Sequence, residues 1–204
     1  MSNNVLATIV LAQDLQHKVG DVILELVLDV PTSNEYKVEQ AQVRARSLGR
    51  IAARQACLMA GTLALPPGLL GWVTILPEML GVWKLQAQLV SDIAAVYGKS
   101  ASLGREQMLY CLFKHVSAQL FRDVVVRVGE RFVIRGATLG FIQTAAQSLG
   151  VKVTQIIIGK SVSRFVPLLG AMGVGAYAYF DTNQVAKTAI ELFSSDMIVD
   201  IQAE

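Results

Sequence analysis

Cys111 and His115 stand at positions i and i+4, a spacing that places two side chains on one face of a helix. A thiol and an imidazole so placed can in principle form a thiolate–imidazole pair, the activated nucleophile of covalent catalysis. No aspartate or asparagine stands close by in sequence to orient the ring, and helix packing explains the pairing better. Glu78, Lys84 and Asp92 form a second set, because the stretch that carries them is otherwise apolar. A charge buried there must be paired or must change its ionisation. The trio reads either as a proton-handling or ligand site, or as a satisfied polar network with Glu78 at a helix start.

Two triplets, Gly98-Lys99-Ser100 and Gly159-Lys160-Ser161, suggest a phosphate loop. That motif needs a further glycine five residues before the first, and Ile93 and Thr154 occupy those positions. Without it the loop cannot wrap a phosphate in backbone N–H groups. His17 and His115 are isolated, and neither Cys-x-x-Cys nor His-Glu-x-x-His spacing occurs, so no metal site is expected. No Gly-x-Ser-x-Gly elbow is present, and no cofactor is expected.

Two arginine rows remain: Arg46, Arg50, Arg54 and Arg127, Arg131, Arg135. Read as helical, each row occupies one face. They are either solvated faces, balanced by acids such as Asp21, Glu25 and Asp29, or docking surfaces for an acidic protein or lipid phosphates, both of which arginine grips bidentately. Aromatic residues are not interleaved with them as a single-stranded nucleic-acid platform requires. The net charge of +2 gives no bulk argument for nucleic acid either.

The elements that must position these residues are helical in pattern. The 204-residue chain is 53% hydrophobic and 17% charged, apolar for a soluble protein and too polar for a multispanning one. Asp21, Glu25 and Asp29 make a polar stripe on an amphipathic helix. Pro31-Thr32-Ser33 marks a turn, with Ser33 or Asn34 as cap for a helix running to about Ala64. Pro77 fits a first helical turn, starting an apolar helix that Gly98 ends. Further helices are expected from Ser102 to about Leu120, Ala137 to Leu149, Val151 to about Arg164, Pro167 to Phe180, and Asn183 to Phe193. Residues 123–135 read as either a hairpin or a helix; the arginine spacing favours helix. The expectation is one all-α domain over residues 1–204, a bundle of about 7–9 helices round an apolar central helix, with no sheet of three or more strands.

The uncharged run from Gln55 to Pro77 is long enough for a span, but Pro66-Pro67-Gly68 interrupts it. The N-terminus lacks the basic region and cleavage site of a secretory signal. A cytoplasmic protein, or one peripheral to the inner membrane, is therefore expected, with Cys57 and Cys111 as buried, reduced thiols. The stretch from Phe165 to Phe180 collects Gly170, Gly173 and Gly175 with several alanines. Glycine costs a helix about 1 kcal/mol against alanine, so these three are expected to mark the closest helix packing, with Trp83 or Leu89 opposite.

Three blocks resemble the EcsC family of bacterial proteins. They are LPEMLGVWKLQAQLVSDIAAVYGK from Leu76, SLGVKVTQIIIGKSVSRFVPLLGAMGVGA from Ser148, and DTNQVAKTAIELF from Asp181, all within residues 69–194. Family members often carry an asparagine shortly after the glycine cluster; here the sequence reads Ala176-Tyr177-Ala178-Tyr179. The resemblance implies a helical bacterial protein associated with the membrane or with transport and secretion systems. It supplies no catalytic residue. The leading expectation is a non-enzymatic binding protein whose partner is a membrane or secretion component, met through an apolar or arginine-lined face. The alternatives are an immunity protein that covers a cognate toxin, and a hydrolase-like enzyme using Glu78 or Cys111 with His115.

Overall fold

The computed structural model describes residues 2–63, 71–121, 125–128, 131–135, 138–160, 167–195 and 197–200. Side chains are described over 13–61, 79–121, 138–156 and 173–195. Six α-helices lie among the described residues: α1 (Ser2–Leu28), α2 (Ala41–Leu63), α3 (Gly71–Val96), α4 (Arg105–Phe113), α5 (Leu139–Lys160) and α6 (Pro167–Ser194). Two 3₁₀ turns, Ser100–Ser102 and Ala118–Phe121, flank α4. The helical bundle expected from the sequence is present, with fewer and longer helices than the seven to nine anticipated.

The expected break at Gly150 does not occur, because that glycine is a contact rather than a terminus. A Cβ built there would lie 2.6 Å from the Gln16 carbonyl oxygen and 2.7 Å from the Gly20 amide nitrogen. Only glycine lets α5 approach the α1 backbone so closely. Nearby, Gln147 donates to Asp21 Oδ1 at 2.8 Å, so the two helices run antiparallel. Likewise α6 passes through Asp181-Thr182-Asn183 without interruption. There Thr182 is fully buried, and Asn183 donates back to the Tyr179 carbonyl, which keeps its polar side chain within the helix.

Two further boundaries move. Ser33 does not cap α2; its hydroxyl donates to Asp92 at 2.6 Å and accepts from the Glu35 amide. Residues 30–38 run non-helically along α3, with the Val38 amide bonded to the Val96 carbonyl. The helix α3 begins at Gly71, so Pro77 lies inside it rather than in its first turn. Its far end is as expected. Gly98 takes φ +71°, with its amide on the Ala95 carbonyl and the Lys99 amide on the Ala94 carbonyl, the glycine-dependent stop that satisfies terminal carbonyls.

Helix α2 lies antiparallel to α6. A Cβ on Gly49 would be 2.9 Å from Ala186 Cβ, and one on Gly175 would be 2.9 Å from the Cys57 carbonyl oxygen. By contrast α3 and α6 run in the same direction: Gln86 bonds Thr182, and thirteen residues further along both segments Lys99 bonds the Ser195 carbonyl. Small side chains, Ala56, Ala60 and Ala178, with Val82, fill the space where α2, α3 and α6 meet. The main core draws on Ile23 of α1, Ile93 of α3, Phe113 of α4, Leu149 of α5 and Phe193 of α6. Trp83 meets Phe113 edge to face at 5.5 Å.

The glycine cluster is thus split. Gly175 makes the close approach, but its neighbours are Cys57 and Gly61 of α2, not Trp83 or Leu89. Gly173 is exposed and a Cβ there would meet nothing within 4 Å. Gly170 lies outside the residues whose surroundings are described.

The helix expected over residues 123–135 is corrected. Strand β1 (Val125–Val128) pairs antiparallel with β2 (Arg131–Arg135), and β2 pairs parallel with β3 (Met197–Asp200), giving a three-stranded sheet where none was expected. The segment is rich in valine, whose branched Cβ suits a pleated strand. Among the described residues, no helix is long and apolar enough to cross a membrane.

Candidate functional site

Helix α2 carries Arg44, Arg46, Arg50 and Arg54 and no acid between Ala41 and Leu63. Arg44 turns back to Glu35, with Nε at 3.0 Å and Nη2 at 2.6 Å from the two carboxylate oxygens. That paired hydrogen bond holds the Glu35 carboxyl below its ordinary range. The other three arginines are exposed, and no carboxylate forms an ion pair with them among the described residues. Arg50 Nε reaches only the Arg46 carbonyl, at 3.3 Å.

Arg46, Arg50, Arg54 and Leu58 form one i, i+4 row on α2. Leu58 is 68% exposed, and Val43 (61%) and Ile51 (47%) lie on the same outward face. Large apolar side chains so exposed, beside unpaired guanidinium groups, make this the most distinctive surface of the described residues.

The second arginine row does not exist as a row. Arg127 lies on β1, in register with Phe132, whereas Arg131 is in register with Val128. Arg131 and Arg135 share one parity of β2, and Arg127 is registered to the other. The strand geometry therefore divides residues that a helix would have aligned.

The buried polar trio is also redistributed. Lys84 is exposed. Asp92 is half-buried and accepts from Ser33 Oγ and, at 2.9 Å, from Gln88 Nε2, which also donates to the Thr32 carbonyl. It fastens residues 30–38 to α3. The Glu78 side chain lies outside the described residues; its backbone is in α3, seven residues past the start rather than at it.

Cys111 and His115 share no hydrogen bond. Cys111 is fully buried in the main core, and burial pushes its thiol far above the ordinary range. A thiolate there is strongly disfavoured. His115 instead meets Asp181, Nε2 to Oδ1 at 2.6 Å. The other Asp181 oxygen accepts from Gln86 Nε2 at 2.7 Å, and Gln86 also reaches Thr182 Oγ1 at 3.1 Å. Burial and then the Asp181 carboxylate push the Tyr177 phenol up to about 12. One carboxylate thus ties α3, the end of α4, and α6 together. Sequence reasoning missed Asp181 and Gln86, because they stand 66 and 29 positions from His115 and only the packing of α3 and α6 brings them together.

The two thiols differ in a way that can be measured. In the native protein iodoacetamide is expected to label half-buried Cys57 and to leave Cys111 unmodified until denaturant is added. Mass spectrometry showing native-state labelling of Cys111 first would restore it as a nucleophile.

A third feature is an open cavity of about 440 Å³ where α2 begins, lined by Glu39, Gln40, Ala41, Gln42, Val43, Tyr97 and Ser194. Its ionisable groups are an acid and a phenol, which offer no cation for an anion at the helix start. No group of His, Cys, Asp and Glu suited to hold a metal ion occurs among the described residues. Comparison with protein-family models, with curated proteins and with solved structures finds no match to this chain.

Proposed function

We propose that this chain is a helical binding protein that acts by docking, through the outward face of α2, onto an anionic partner at a bacterial membrane or in a secretion or transport assembly. Three exposed arginines in one row, without acids on the same helix and with large apolar side chains beside them, support the reading. Such a surface invites a charge-complementary partner. The bundle would be organised round α3 as its apolar spine, and the resemblance to EcsC proteins supplies the bacterial membrane setting. An enzyme built on Cys111 and His115 lacks the geometry it needs.

The test is cross-linking and affinity capture from the native cell, with the parent and with the triple variant Arg46→Gln, Arg50→Gln, Arg54→Gln. The three side chains are exposed, so the variant is expected to keep the circular dichroism and melting temperature of the parent. The expected result is a defined partner with the parent and at least tenfold lower recovery with the variant. Equal recovery from both would remove α2 as the docking face.

A further inference from the structure

Resting on that reading, we infer that the anionic partner of the α2 face is a lipid surface, against which the protein lies peripherally. Arginine and large apolar side chains share one flank of α2. From Val43 to Leu58 that flank is about 22 Å long at about 1.5 Å per residue. The arginine row, Arg46, Arg50 and Arg54, continues in Leu58, while Val43 and Ile51 stand alongside. This is the composition of an interfacial helix, whose guanidinium groups meet headgroup phosphates while its apolar side chains enter the boundary between headgroups and acyl chains.

An acidic protein surface would account for the arginines. It gives no reason for the exposure of the large apolar side chains Val43, Ile51 and Leu58. A lipid surface accounts for both sets, and being planar it asks for no shape complementarity from a convex helix flank. The ion pairing points the same way: Arg44, at the edge of the row, is the guanidinium neutralised by an acid of this chain, while the three central ones are left to an external anion. The structure supplies no spanning helix among its described residues, so the contact is one of lying on the bilayer.

The experiment is flotation of the full chain with vesicles of phosphatidylcholine alone and with vesicles containing phosphatidylglycerol, at low and high salt. The parent is expected to float with phosphatidylglycerol vesicles, to stay behind with pure phosphatidylcholine, and to be released by salt. An arginine near an anionic surface contributes about fivefold in partitioning, so the triple glutamine variant should bind on the order of a hundredfold more weakly. Leu58→Ser should bind several-fold more weakly at low salt and remain folded, since the side chain is exposed. Binding that is indifferent to phosphatidylglycerol, or a triple variant that floats as well as the parent, would overturn the inference. So would a parent that fails to float while its arginine-dependent cellular partner is identified as a protein; in that case the docking face stands and the lipid assignment falls.

Discussion

Alanine at Gly150 is expected to destabilise the protein by about 1–3 kcal/mol, the cost of forcing extra volume into a closed contact. Propensity alone argues the opposite, since alanine is favoured over glycine in a helix by about 1 kcal/mol. The contact wins because the atoms a Cβ would meet are backbone: the Gln16 carbonyl oxygen at 2.6 Å and the Gly20 nitrogen at 2.7 Å. Neither can rotate away, so α1 and α5 must part, with loss of dispersion along their whole seam. Gly173→Ala is the companion measurement. With nothing within 4 Å of its Cβ, it should raise stability by up to about 1 kcal/mol. Urea unfolding of both variants gives the comparison, provided the slope of each transition matches that of the parent. A Gly150→Ala protein as stable as the parent would show that the two helices are not in backbone contact.

Asp181→Ala is expected to cost about 2–3 kcal/mol, because it strands donors rather than merely deleting a bond. Gln86 is only 1% exposed and would keep one partner, Thr182. His115 would lose the carboxylate at 2.6 Å, and Tyr177 the one that faces its phenol. Adding Gln86→Leu to Asp181→Ala should recover part of the loss, since removing both members of a buried pair costs less than removing one. The resulting non-additivity measures the coupling between α3 and α6. If thermal and urea unfolding place Asp181→Ala within about 0.5 kcal/mol of the parent, an ordinary surface effect, the carboxylate is not the tie described above.

The helices were legible because their apolar positions recur at helical spacing, and α3 also announced its end: Gly98 stands where the apolar pattern stops. What escaped the reading has identifiable causes. A step of four residues is close to one helical turn, but it is also an even number. Arg131 and Arg135 therefore satisfy a strand as well as a helix, and the valines round them decide the matter. Gly150 reads as a break from sequence, since its true role depends on Gly20, which belongs to another helix. Lys84 reads as buried because its neighbours are apolar; a long stem carrying its charge to water resolves that without any partner. Of the candidate site, the row Arg46, Arg50, Arg54 was visible; that its helix is free of acids was not, because the expected helix took in Glu35 and Glu39, which stand before α2 begins at Ala41.

The parallel pairing of β2 with β3 joins residues 131–135 to residues 197–200, with α5 and α6 made in between. Parallel neighbours always need such a crossover, and its entropy must be lost before the strands gain anything from meeting. The strand β2 can pair with β1 at once, but its other edge waits until both long helices have formed and docked. Completion of the sheet is thus placed late in the order of folding. During synthesis the open edge of β2 is a valine-bearing strand with unpaired amides, the kind of template on which chains associate wrongly. Charged residues at both ends of β2, Arg131 and Arg135, are the sort that discourage such pairing. Their place in this chain then belongs to its folding history as much as to its finished surface.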